Sequence, residues 1–168
     1  VSDGTVIIDQ LFDIEVANIN DPPVFTSTPV TGAVQDLQFT YDANATDPDG
    51  DVLTFIATSV PSWLNLDAIT GVLSGTPANS DVGIHSITIT VSDGNVSANQ
   101  AFDITVSNVN DAPEFSSTPV IVGIQGTLYT YNAEASDPDG DELTFNATSV
   151  PAWLTLDPVS GILTGPPG

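Results

Sequence analysis

The chain carries 22 acidic residues in 168 positions, no Lys or Arg and one His, so its formal net charge is −22. Nucleic acid and anionic membranes demand positive charge from a partner, which this balance does not offer, and no apolar run reaches the roughly 18 residues of a membrane span. Disorder by composition is also excluded, because high net charge produces it only together with low hydrophobicity, and 40% of this chain is hydrophobic. With no protein cation to pair with, the carboxylates must face water, stand apart or share a metal ion. The absence of Cys leaves metal as one available staple for a small domain.

Read from its first residue, Val1-Ser2-Asp3-Gly4 looks like sequence from within a domain. It returns as Val91-Ser92-Asp93-Gly94, and the same offset of 90 recurs along the chain. Asn20-Asp21-Pro22-Pro23 is matched by Asn110-Asp111-Ala112-Pro113, and Asp47-Pro48-Asp49-Gly50-Asp51 by Asp137-Pro138-Asp139-Gly140-Asp141. Residues 1–78 align on 91–168 without a gap, and 45 of those 78 positions are identical. A unit of this length exceeds a solenoid repeat and suits an immunoglobulin-sized sandwich. The expected division is the C-terminal strand of a preceding repeat at 1–19, a complete repeat at 20–109 and a truncated following repeat at 110–168.

Within the complete repeat, alternation of apolar and polar residues with many β-branched side chains predicts strands at 30–34, 37–44, 53–59, 63–66, 72–74, 83–92 and 99–106. Turn signals separate them: Asp49-Gly50, Thr70-Gly71, Gly75-Thr76-Pro77 and Asp93-Gly94. No window carries a helical period. The expected fold is all-β, a tandem of seven-stranded Greek-key β-sandwiches, each built of two packed antiparallel sheets. Such a division leaves edge strands at both ends. Either the array continues, which is the favoured reading, or neighbouring chains complete one another by strand exchange.

Asp47-Pro48-Asp49-Gly50-Asp51 and its copy put three carboxylates on one turn. Calcium takes six to eight hard oxygen ligands, so these turns are candidate sites, while a polar Pro-Asp-Gly turn without metal fits the same residues. The spacing is not that of an EF-hand, since the twelfth position from Asp47 is Thr58. The segment Asn18-Ile19-Asn20-Asp21-Pro22-Pro23-Val24-Phe25 and its copy at 108–115 follow a final strand and read as the inter-repeat linker, stiffened by proline.

Taken in order, the Asn-x-Asn-Asp-x-Pro-x-Phe linker, the Asp-x-Asp turn and the later Ser-Asp-Gly resemble the cadherin repeat. They are closest to its bacterial relatives, the dystroglycan-type cadherin-like and immunoglobulin-like domains, which the Trp63-to-Gly75 and Trp153-to-Gly165 segments also resemble. The resemblance covers essentially the whole chain. It implies Ca2+ bound between repeats. At the first junction the ligands would be Asn20, Asp21, Asp47, Asp49, Asp93 and the Pro22 carbonyl. At the second they would be Asn110, Asp111, Asp137, Asp139 and the Ala112 carbonyl. Two departures, Asn18 and Asn108 in place of an acidic residue and Ser74-Gly75-Thr76-Pro77 in place of an acidic pair, imply fewer ions per junction and weaker binding.

Other residues carry weaker signals. Trp63 and Trp153 are read as core, with sugar stacking as the alternative. His85 alone supports neither zinc nor a catalytic triad. Asn44, Asn95 and Asn146 head glycosylation sequons. No carboxylate pair has the apolar surroundings of an acid/base couple, so no enzyme is expected. The resemblance implies a secreted or cell-surface stalk of a large adhesin or extracellular fibre, stiffened by calcium, with adjacent repeats as its partners. The alternative is a calcium-dependent carbohydrate-binding module with a polysaccharide ligand. Salt adaptation could account for the acidity under either reading.

Overall fold

A computed structural model describes all of residues 1–168. In the complete repeat the strands run β1 (Val24–Phe25), β2 (Gly32–Val34), β3 (Phe39–Asp42), β4 (Ala45–Thr46), β5 (Thr54–Thr58), β6 (Leu64–Leu66), β7 (Val72–Gly75), β8 (Gly83–Ser92) and β9 (Ser97–Ser107). One sheet has the order β2-β9-β8-β5, the other β3-β7-β6, and β1 pairs with β4 in a two-residue ladder. The period-two pattern explains the sandwich. Phe39 and Tyr41 of β3, Ile87, Ile89 and Val91 of β8, and Ile104 and Val106 of β9 all point inward and are buried with Leu73 of β7. Each such side chain contributes about 2 kcal/mol of burial. The Tyr41 hydroxyl, carried inside by this alternation, donates to Gln100 Oε1 at 2.6 Å and lies 2.8 Å from Ser27 Oγ.

The seven expected strands coincide with β2, β3 and β5 to β9, and 83–92 does so residue for residue. Three corrections follow. The sheets are not wholly antiparallel, because β2 runs parallel to β9, with Gly32, Ala33 and Val34 opposite Thr105, Val106 and Ser107. A short ladder of β1 with β4 was not expected and stands apart from both sheets, and Pro29, which has no N–H to give a ladder, lies between β1 and β2. Gly75, read as part of a turn, is the last residue of β7.

In residues 110–168 the strands are β10 (Glu114–Phe115), β11 (Tyr129–Asn132), β12 (Ala135–Ser136), β13 (Thr155–Leu156) and β14 (Ile162–Gly165), with sheet order β11-β14-β13 and a β10-β12 ladder. Residues 110–168 include no segment at the 90-residue offset from β8 or β9. Leu143-Thr144-Phe145, which copies Leu53-Thr54-Phe55, forms no ladder here, since its pairing strand is the β8 counterpart. Residues 7–17 likewise correspond to β9, yet only the Ser2–Ile7 bridge, the equivalent of the Ser92–Ser97 hairpin closure, is present. The rest of this stretch is exposed. Strand pairing is a property of two segments, and each of these has one.

Candidate metal centre

Each acidic turn is built by its own first residue. Asp47 Oδ1 accepts from the backbone N–H of Asp49 (2.8 Å) and Asp51 (3.3 Å), while Gly50 N–H donates to Asp47 O. Gly50 takes φ 81°, a conformation that favours glycine. The copy repeats this, with Asp137 Oδ1 accepting from Asp139 (2.9 Å) and Asp141 (3.4 Å). A side-chain oxygen of each of Asp47, Asp49 and Asp51 lies within 4.8 Å of the others, and the same holds for Asp137, Asp139 and Asp141. Asp51 and Asp141 thus join carboxylates that the linker pattern alone does not select.

The linkers close on these turns. At the first junction Asp21 N–H donates to Asp49 Oδ2 at 2.7 Å, and the Asn18 amide donates to Asp49 Oδ1 at 2.8 Å. The Asn20 amide donates to Asp93 Oδ2 at 2.9 Å, and Asn95 donates to Asn20 Oδ1 at 3.0 Å. Asn20, Asp21, Asp47, Asp49 and Asp93 therefore lie in one hydrogen-bonded group although 73 residues separate its ends. At the second junction Asp111 N–H donates to Asp139 Oδ2 at 2.6 Å, and Asn110 donates to Asp111 O at 2.8 Å. The Pro22 and Ala112 carbonyls follow in the linkers and accept no hydrogen bond.

The hydrogen bonds also set the charge state. Asp49 is held below the ordinary carboxylate value of 3.8, first by Asp21 N–H and then by Asn18. Asp93 is lowered chiefly by Asn20, then by Val96 N–H. Two buried atoms escape this pattern. Asp47 Oδ2 and Asp139 Oδ1 have no hydrogen-bond partner. Burying a carboxylate oxygen unpaired is costly, and in a chain without Lys or Arg a bound cation is one way to compensate it. The donors around them are all oxygen, hard and unaccompanied by His or Cys, which suits Ca2+ rather than a transition metal.

Away from the junctions, Asp67 is lowered by the N–H groups of Thr70 and Ile69, and Asp157 by those of Ser160 and Val159. A depressed folded-state value stabilises the fold above the ordinary 3.8 and ceases to do so as pH falls through it. In chelator, acidification first relieves carboxylate repulsion, so the melting midpoint should rise from neutrality toward about pH 4 and fall below it. Asp67→Asn, whose amide oxygen can still accept from the turn, should flatten the acid limb. Melting curves in steps of pH would read both.

Gln35 and Asn79 are the residues the sequence reading did not place, and it gave Asn18 no bond of its own. Gln35 is 2% exposed and bonds Asp111, and Asn79 donates to Pro138 O at 2.6 Å. The recurrence of Gln35 at Gln125 was the available signal. Trp63 packs edge-on against Phe39 and His85, with ring centroids 6.0 Å apart in each case, and its Nε1 is buried. Trp153 meets Tyr129 in the same way at 5.9 Å.

Tandem β-sandwiches joined by short linkers that rest on acidic turns define a cadherin- and immunoglobulin-like repeat protein. The family model described as "Putative Ig domain" matches residues 22–107 and 112–168, and the chain belongs to that family. Chitinase A of Pseudoalteromonas piscicida is 31% identical over 116 residues, which is 67% of this chain and 14% of that protein. Cadherin-related family member 3 of Mus musculus is 24% identical over 187 residues, 97% of this chain and 22% of that protein. The chain thus spans under a quarter of either relative. Among solved structures, the EC1-2 fragment of human protocadherin-24 superposes with a TM-score of 0.57 at 19% identity, covering 87% of this chain and 78% of that one. That likeness is one of fold.

Proposed function

We propose that the chain is a non-enzymatic, extracellular repeat module whose junctions bind Ca2+ and are stiffened by it, serving as a spacer in a large surface adhesin or extracellular fibre. The observation that carries this reading is the pair of buried, unpartnered carboxylate oxygens, Asp47 Oδ2 and Asp139 Oδ1, in a chain with no Lys or Arg. A divalent cation supplies the missing positive charge. Asp47, Asp49, Asp51, Asn20, Asp21 and Asp93 would hold it at the first junction, and Asp137, Asp139, Asp141, Asn110 and Asp111 at the second. The Pro22 and Ala112 carbonyls are the remaining candidates. The protein's own part is to position these groups. Backbone N–H groups fix the carboxylates, and the prolines after each Asn-Asp pair limit where the linker can go. Adjacent repeats are the partners this requires.

Calorimetric titration of the 168-residue chain with calcium tests the reading, together with melting in calcium and in chelator. Saturable binding with a dissociation constant on the order of 10⁻⁴–10⁻³ M and a raised midpoint are expected. No heat and no shift at millimolar calcium would sink it.

The second reading, a calcium-dependent carbohydrate-binding module, is favoured by the similarity to a chitinase over 14% of that enzyme's length. The edge-on packing of Trp63 and Trp153 counts against a stacking platform. Retention on chitin beads in calcium, released by chelator, would support this second reading over a plain spacer.

A further inference from the structure

We infer that Gln35 is a positioning residue that latches the second linker to the repeat it leaves, by bonds that need no metal. The parallel pairing of β2 with β9 makes this possible. It sets the C-terminal ends of both strands side by side, so the residue after β2 meets the chain emerging from β9. Gln35 N–H extends that pairing by donating to Ser107 O at 3.0 Å. Its side chain, 2% exposed, then engages the linker twice: Nε2 donates to Asp111 Oδ2 at 2.8 Å, and Oε1 accepts from Val109 N–H at 3.2 Å. Nε2 also lies 3.3 Å from Asp36 Oδ2.

Both ends of the amide are thus committed, and since Gln35 itself is buried while its partners Val109 and Asp111 are exposed and half-buried, the cost of breaking these bonds falls on the glutamine. Leaving them unmade is the expensive alternative, so the bonded arrangement is held. From Asp111 the contact passes on, because its own N–H donates to Asp139 Oδ2 in the turn of the following repeat. Gln35, Asp111 and Asp139 form a relay across the junction, made wholly of protein donors and acceptors. The exposed bond from Asn79 to Pro138 O runs beside it, but water competes for that one. A neutral amide is what the position requires: a carboxylate there would face Asp111 and Asp36 in a chain with no Lys or Arg to offset it. The latch stands whether or not calcium binds, and its test is made in chelator, so failure of the calcium reading and failure of the latch are separate results.

The chain has no Cys, so Asn65→Cys and Thr155→Cys, at exposed strand positions of the two repeats, can carry a pair of spin labels. With chelator present, pulsed dipolar spectroscopy should give one narrow distance distribution. Gln35→Leu should abolish the narrow peak. Asp111→Ala breaks the same bond from outside the core and should do likewise, which keeps the test decisive if the buried variant misfolds. Asp111→Asn retains an acceptor oxygen and should restore the narrow peak, which a general loss of core stability would not do. A broad distribution in the unsubstituted chelated chain, or a narrow one in Asp111→Ala, would overturn the inference.

Discussion

Gly75→Ala unfolds the complete repeat. A Cβ at Gly75 would lie 1.8 Å from the Trp63 carbonyl oxygen and 2.8 Å from its carbon, and both are backbone atoms. A flexible side chain could swing aside, but a backbone cannot without opening the sheet. Gly75 is paired on both sides, with Phe39 of β3 and Leu64 of β6, so β6 would have to part from β7 and take Leu64 out of the core. The expected loss is about 4 kcal/mol or more, which is most of the stability of a small domain. Denaturant titration followed by tryptophan fluorescence would measure it. Gly165→Ala meets the same 1.8 Å contact, with Trp153, and should disturb 110–168 while sparing 20–109. A Gly75→Ala chain with an unchanged midpoint would mean that β6 and β7 are not held as described.

Asp47→Asn should weaken the calcium response of the first junction and reverse the stability order of the two chains between chelator and calcium. The amide keeps an oxygen where Oδ1 accepts from Asp49 and Asp51, so the turn survives. What disappears is the negative charge on the buried Oδ2. In chelator the variant should melt above the unsubstituted chain, because a buried unpartnered carboxylate has been removed. In excess calcium it should melt below it. Loss of one charged contact to a largely desolvated partner costs about 3 kcal/mol, so affinity at that junction should fall on the order of 100-fold. The second junction, with its own Asp137, should titrate as before. A variant that binds calcium at both junctions with unchanged affinity would remove Asp47 from the site.

Much of the fold was legible because it is stated nearly twice. The 90-residue offset gave the unit, and alternation such as Ile87-Thr88-Ile89-Thr90-Val91 located β8 and its inward face together. What escaped was whatever depends on a distant partner. β1 and β4 are two residues each, too short for any period to register. The parallel β2–β9 pair follows from which sheet the chain joins after Pro29, and no local pattern encodes that choice. Leu143-Thr144-Phe145 carries the same strand signal as its copy and forms no ladder, a direct case of pairing overriding pattern.

The junction was partly legible for a related reason. Asp47, Asp49 and Asp93 fall in turns whose composition announces them, and Asn20-Asp21 recurs at the linker. Gln35 gives no such notice. A glutamine after a short strand is an ordinary surface residue until the strand is found beside the linker, and only then does its burial acquire a purpose. Asn18 looked like a lost carboxylate. Its amide in fact donates to Asp49, which a carboxylate could not do.

The parallel alignment of β2 with β9 also decides how the repeat bears load. The chain enters through β1, paired with β4, and leaves from β9; once β1 is released, tension on the two linkers drags β2 and β9 past each other along their length. Their connecting bonds, Thr105 N–H to Thr31 O and Gln35 N–H to Ser107 O among them, are loaded in shear and must give way together. Antiparallel terminal strands would instead be peeled apart one bond at a time. The repeat is therefore built to resist being pulled by its ends, with the weakest direction turned away from the axis along which neighbouring repeats would pull.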